Sequence, residues 1–281
     1  MKFNLGSAGA DGDFGKGTHD AIIDFQTKFV PTHEIHPEYQ IKEVDGIVGK
    51  STLLGLDEAI AIGWERKIPP FKWHDPLDNM MLCLYSQGGS KKPNHGSFGE
   101  KIRDKSNPHA GVDLFAPVGS DVYAAVNGKV TRVHTSTSMA GKTIGIQVTD
   151  KEGFWNSRDD NYQVIYKNDG EIISGEKFSK DKKLFITYMH LSEMLVKVGD
   201  VVKAGQLIGK SGVTGENGQP FKTANPHLHF AIGNLDYSPL IQACNPMLWI
   251  TPKYENSLSV DDKALQEEYL KKYLDKHKAK G

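Results

Sequence analysis

Apolar residues recur at helical spacing near both ends of the chain and at strand spacing through its middle. Ile22, Phe25 and Phe29 fall on one helical face, and Leu53, Leu56 and Ile60 do the same some thirty residues later. Each run follows a copy of one short pattern, Asp11-Gly-Asp-Phe-Gly-Lys-Gly-Thr18 and Asp45-Gly-Ile-Val-Gly-Lys-Ser-Thr52. Asp-Gly predicts a tight turn, and Thr18 and Thr52 are the expected N-caps. Two copies are too few for a solenoid, so residues 1–62 are expected to form a small helical module. Residues 63–85 carry Pro69, Pro70 and several aromatic residues, and are expected to be a linker or an extended docking segment. Over 86–252, short apolar runs alternate with Gly, Asn, Asp and Pro, as in Gly128-Lys-Val-Thr-Arg-Val133 and His227-Leu-His-Phe-Ala-Ile232. These are strand signals. In the charged tail, 253–281, Leu265, Tyr269, Leu270, Tyr273 and Leu274 sit near helical spacing. The expected class is therefore α+β: a small helical N-terminal module, a mostly antiparallel β domain and a C-terminal helix.

Composition narrows the function classes. Lys+Arg is 34 and Asp+Glu is 35, a net charge of -1, which argues against a nucleic-acid partner. No run approaches the roughly 18 apolar residues of a membrane span. Cys83 and Cys244 match no metal or redox spacing. Their pairing stays open, with two buried thiols expected from the apolar run around Cys83. The segment Met1-Lys-Phe-Asn-Leu-Gly-Ser-Ala-Gly9 has no apolar core of a signal peptide.

The chemistry lies in the histidines, of which there are 11. His227 and His229 are two apart in a strand-like run, so both imidazoles project to one face. His109 and Asp113 flank a loop that enters the run Val112-Asp-Leu-Phe115, where the two side chains can meet at a metal. A third apolar run, ending Tyr188-Met-His190, delivers another histidine from a similar position. Imidazole and carboxylate donors of this number suit Zn²⁺, with spare histidines left to handle protons. Gly205-Gln-Leu-Ile-Gly-Lys-Ser211 has three residues between its glycines where a phosphate loop needs four, and it is expected to be a hairpin turn. His33 and His36 lie in a Pro-flanked loop and are expected to be solvated.

In their order and surroundings, His109-x-x-x-Asp113, Tyr188-Met-His190-Leu and His227-Leu-His229-Phe resemble the LytM/lysostaphin-type zinc peptidases, family M23. Ser97-Phe-Gly99, Asp113-Leu-Phe-Ala-Pro-Val-Gly119 and Val198-Gly-Asp-Val-Val-Lys-Ala-Gly-Gln-Leu-Ile-Gly209 agree with that resemblance, which covers roughly residues 86 to 250. The resemblance implies one zinc ion per chain held by His109, Asp113 and His229, with His190 and His227 as the catalytic pair. It implies an endopeptidase that hydrolyses the peptide cross-links of bacterial peptidoglycan, D,D bonds being favoured. The N-terminal echo, with Phe25-Gln26 between its copies, is similar to the type 1 peptidoglycan-binding domain, and departs from it in lacking the first helix before Asp11. The expected partners are peptidoglycan stem peptides and cross-links, with an inhibitor or immunity protein left open. The expected place of action is the periplasm or cell exterior, reached by a secretion system, phage lysis or a preceding segment. The rival readings are a non-catalytic wall-binding protein or amidase activator, and a phage lysin. The long stretch between Asp150 and Lys183, with Trp155, Tyr162 and Tyr166, is expected either to border the groove or to be a plain extended hairpin.

Overall fold

A computed structural model describes residues 14–65, 70–86, 89–103, 108–166, 172–220, 225–237 and 239–278. The chain divides into two units, Met1–Pro70 and Phe71–Gly281.

In the first unit, α1 (Lys16–Lys28) and α2 (Lys50–Ala61) follow Gly15 and Gly49, which are their N-caps. The expected caps Thr18 and Thr52 instead lie inside the first turns. Asp11 and its neighbours in the first copy of the echo lie outside the described residues. Phe25 and Phe29 are buried and stack at 5.0 Å, with Trp64 edge-on to both. The face expected for α2 is corrected: Leu53 and Ile60 are exposed, and Thr52, Gly55, Glu58 and Ala59 are buried. Polar residues occupy that face because they tie down loops. Gln26 accepts from the backbone N–H of Asp45 and of Gly46 and donates to Thr52 Oγ1, Asp45 Oδ1 and the Ile47 carbonyl. Phe25-Gln26 and the second Asp-Gly are thus one structural clip.

Glu58 does the same for the loop before α2. Its carboxylate accepts from the backbone N–H of Thr32 and Glu34, from Thr32 Oγ1 and from the Tyr39 hydroxyl. Burial alone would raise this carboxyl, but the bonds from Thr32, Tyr39 and Glu34 overcome it and hold the pKa at about 2. A depressed carboxylate contributes stability that is complete above its unfolded value, 4.5, and is lost as the pH falls through about 2. Acidification across that window is expected to loosen the 32–39 loop first. Glu58→Ala is expected to reproduce this at neutral pH, speeding exchange of the loop amides roughly tenfold or more. Hydrogen exchange of the two chains measures both effects.

The second unit is built on an antiparallel sheet of seven strands. Its members are β1 (Val112–Phe115), β3 (Gly128–Thr135), β4 (Lys142–Val148), β5 (Phe185–Leu191), β7 (Val201–Val202), β9 (His227–Gly233) and β10 (Ala243–Cys244). The order is β1-β9-β5-β4-β3-β7, with β10 also on β9. A three-stranded sheet, β2-β8-β6, joins β2 (Asp121–Tyr123), β6 (Glu193–Met194) and β8 (Leu207–Lys210). Strand alternation sends Val112, Leu114, Ile144, Ile146, Ile186, Tyr188, Leu228, Phe230 and Ile232 to one core. The opposite face carries Asp113, Met189 and His229. The turn 203–206 is not the expected hairpin. It carries the chain from β7 in the large sheet to β8 in the small one.

The interval 63–85, expected as a linker or docking segment, is divided. Residues from Phe71 onward belong to the second unit. Trp73 pairs with Val126, Leu82 pairs with Leu114, and Met81 to Leu84 are buried. This apolar run extends the sheet edge beside β1, which a linker composition conceals. The tail packs there too: α4 (Val260–Lys278) begins in a reciprocal cap between Ser259 and Asp262. Its buried Gln266 bonds to the Leu84 N–H and the Leu82 carbonyl. The aromatic residues after Asp150 face the interior. Phe154, on the short helix α3 (Lys151–Asn156), stacks on Trp249 at 4.5 Å, Trp155 stacks on Phe178, and Tyr162 and Tyr166 pack against the main core. Backbone bonds from Gly175 to Ala243 and from Asn245 to Ile173 fix this stretch along β10. Cys83 and Cys244 are buried thiols.

Candidate functional site

Asp113 and His229 are direct cross-strand partners on β1 and β9, so their side chains emerge together from the face opposite the core. His109 reaches the same point from the loop before β1, its backbone bonded both ways to Gly99. The result is a triangle. His109 Nε2, Asp113 Oδ1 and His229 Nδ1 lie 3.0 Å from one another on every side. Ligands of a tetrahedral ion with bonds of 2.0–2.1 Å lie about 3.3 Å apart, so the three donors fit such an ion with a small relaxation. Among the described residues this is the group whose donor atoms converge in that way.

Neighbouring groups fix how each donor points. The His109 Nδ1–H donates to the Ser97 carbonyl at 2.7 Å, which leaves the lone pair on Nε2. Arg103 Nη2 donates to Asp113 Oδ2 while its Nε donates to the His95 carbonyl, and Oδ1 is thereby turned to the histidines. Gly111 makes room for His229: a Cβ there would lie 2.7 Å from the His229 Nε2. Burial pushes His109 down to about 4. Burial would raise Asp113, but the charges of His109, His227 and Arg103 hold it well below the carboxylate range. A deprotonated Asp113 beside a neutral His109 is the state that binds a cation.

His227 and His190 stand beside the triangle. Their rings are 4.7 Å apart between centroids, and His190 is 5.9 Å from His229. His227 Nδ1–H donates to the Asn225 carbonyl at 2.7 Å, and His190 Nδ1–H to the Thr214 carbonyl at 3.0 Å. Both imidazoles therefore carry their acceptor lone pair on Nε2. Burial lowers the pKa of both.

His190 reaches this face by breaking strand alternation. Tyr188 faces the core and Met189 the cleft, so strict alternation would return His190 to the core. Instead a β-bulge sets Met189 and His190 opposite the single Thr143, and His190 takes φ 65°. Met189 and His190 then line the cleft together, and Leu191 returns to the core. The structure thus brings together all five residues singled out in the sequence. Sequence reasoning missed Arg103, whose link to Asp113 depends on a loop path that no spacing encodes. It noted Ser97 only as context for His109.

Residues 161–240 match the family model for Peptidase family M23. The solved catalytic domain of lysostaphin from Staphylococcus simulans is 32% identical, over 54% of this chain and 86% of that chain, with a TM-score of 0.36. The peptidoglycan DD-endopeptidase ShyB of Vibrio cholerae is 30% identical over 157 residues, 56% of this chain and 26% of that protein. The type VI secretion system spike protein VgrG3 of Vibrio cholerae is 61% identical over 64 residues, 23% of this chain and 6% of that protein. The chain thus spans about a quarter or less of the length of these two full-length relatives. The family match thus identifies an M23 peptidase domain within this chain.

Proposed function

We propose that this chain is a zinc metallo-endopeptidase, with one ion per chain, that hydrolyses the peptide cross-links of bacterial peptidoglycan. The observation that carries the reading is the 3.0 Å triangle of His109 Nε2, Asp113 Oδ1 and His229 Nδ1 with two further histidines beside it. A zinc ion bound there supplies a Lewis acid that polarises the scissile carbonyl and makes water acidic near neutral pH. His109, Asp113 and His229 would hold the ion. Arg103 occupies the second oxygen of Asp113 and leaves Oδ1 toward the histidines. His190 and His227, with Nδ1 held by carbonyls, present Nε2 to take a proton from the attacking water and return it to the leaving amine.

The finer reading is cleavage of D,D bonds in an antibacterial effector that acts at the cell wall. Its support is the 157-residue similarity to a DD-endopeptidase and the 64-residue similarity to a type VI secretion spike. Export by a secretion machine fits that second relative, and an immunity protein is the partner such a role requires. The N-terminal unit is proposed to bind the wall and steer the peptidase. No helix among the described residues is long and apolar enough to cross a membrane.

The test is direct. Purified chain loaded with zinc is incubated with cross-linked muropeptides, and the products are weighed by mass spectrometry. Dimers are expected to fall to monomers, with the fragment masses naming the bond. Dimers left intact by zinc-loaded protein would overturn the reading.

A further inference from the structure

The cleft that holds the histidines is lined by more cationic than anionic side chains. Its lining includes Lys92, Arg103 and Arg132, and Asp113 is the one carboxylate among the described lining residues. Arg103 is committed to Asp113. Arg132 is not committed in the same way. Its Nη1 is 3.8 Å from Asp236 Oδ1, beyond hydrogen-bond reach, and its Nε is buried with no hydrogen-bond partner among the described residues. The guanidinium carbon lies 5.8 Å from the centre of the Tyr237 ring, which is about half exposed.

Register puts Arg132 on the working face. Arg132 pairs with Gly145, Gly145 with Thr187, and Thr187 with Ala231, and Ala231 is two residues from His229 on the same strand. This cross-strand row therefore points the same way as His229 and Asp113. Its members are small for a reason: a Cβ on Gly145 would lie 2.8 Å from the Asp236 Cβ and 3.0 Å from the Arg132 Cβ. The glycine lets Asp236 and Arg132 lie over β4, at the end of the cleft. β3 is three strand spacings from β9, which carries His229, about 14 Å that an extended peptide covers in about four residues.

We propose that Arg132 is a specificity-determining residue that binds a free carboxylate of the peptide substrate, about four residues from the scissile bond. The exposed part of this planar guanidinium matches a carboxylate, which can accept from its Nη groups. Glycine-only bridges offer no such group at that position, whereas stem peptides with diacid residues do. The proposal rests on the peptidase reading above.

Two synthetic cross-linked peptide dimers test it, one with a free carboxylate at that position and one with it amidated. Wild type is expected to favour the free carboxylate on the order of 10–100-fold in kcat/KM, expressed mainly in KM. Arg132→Gln is expected to bring that ratio toward one, and Arg132→Lys, which keeps the charge without the fork, to leave an intermediate preference. Equal slowing of both dimers by Arg132→Gln would overturn the proposal and make Arg132 a structural counter-ion of Asp236. If zinc-loaded wild type cleaves neither dimer, the peptidase reading fails instead. Calorimetric binding of the same two peptides to metal-free protein then decides the Arg132 assignment by itself, equal affinities sinking it.

Discussion

His229→Ala is expected to lose bound zinc and hydrolysis together, leaving a folded protein. The triangle has three vertices, and a catalytic zinc needs all three protein donors to keep a fourth position for the reaction. Removing Nδ1 of His229 leaves one imidazole and one carboxylate, whose second oxygen Arg103 already occupies. Loss of an outer partner alone typically costs about 10–100-fold in affinity or activity, so loss of a donor is expected to exceed that range. The fold is expected to survive because the other side of β9, Leu228, Phe230 and Ile232, is untouched in the core. Metal then becomes a measurable part of stability. Zinc-loaded wild type should melt above the variant by an amount that grows with the logarithm of free zinc, and chelated wild type should melt near it. Metal analysis, melting curves and muropeptide assays on the same preparations check all three. Stoichiometric zinc on His229→Ala, or cleavage at the wild-type rate, would remove His229 from the ion's shell.

The parts of this site legible in sequence are those set by local periodicity. His227 and His229 share a face because strands alternate, and the apolar residues between and after them mark the opposite face as core. The meeting of Asp113 with His229 depends on the register of β1 against β9, residues 116 positions apart, and only the family resemblance pointed to it. Where a polar residue is buried as a clip, periodicity misleads. Leu53 and Ile60 looked like the inner face of α2, yet Glu58 takes it, because four donors on the 32–39 loop converge on one carboxylate. The run Met81–Leu84 is apolar for the reason any strand is, but the prolines and aromatic residues before it suggested a linker. Arg103 and Arg132 carry no local signature, since each acquires its role from a neighbour brought near by the fold.

His190 shows the same limit most sharply, and its substitution is the second large effect. Replacing it with Ala is expected to lower turnover by about 10²–10⁴-fold, the usual contribution of a positioned acid–base group, while zinc stays bound. The loss has two sources that further variants separate. One is the imidazole, whose Nδ1–H is held by Thr214 so that Nε2 can exchange a proton. The other is the bulge, held at φ 65° by the His190 N–H bond to Ala140 and the Thr214 N–H bond to the His190 carbonyl. Left-handed backbone costs a non-glycine residue roughly 1 kcal/mol, a cost that His190 and an alanine share. His190→Gly is therefore expected to melt above His190→Ala by about that amount and to be equally inactive. His190→Val, β-branched and disfavoured at this φ, is expected to melt lowest and to weaken zinc binding as the strand re-registers beside Met189 and His229. If the glycine variant keeps wild-type turnover, the imidazole has no part in the reaction. If the valine variant is as stable as the glycine one, the bulge is not what delivers His190 to the cleft. A gain in stability together with a loss of turnover is what a strained residue retained for chemistry produces.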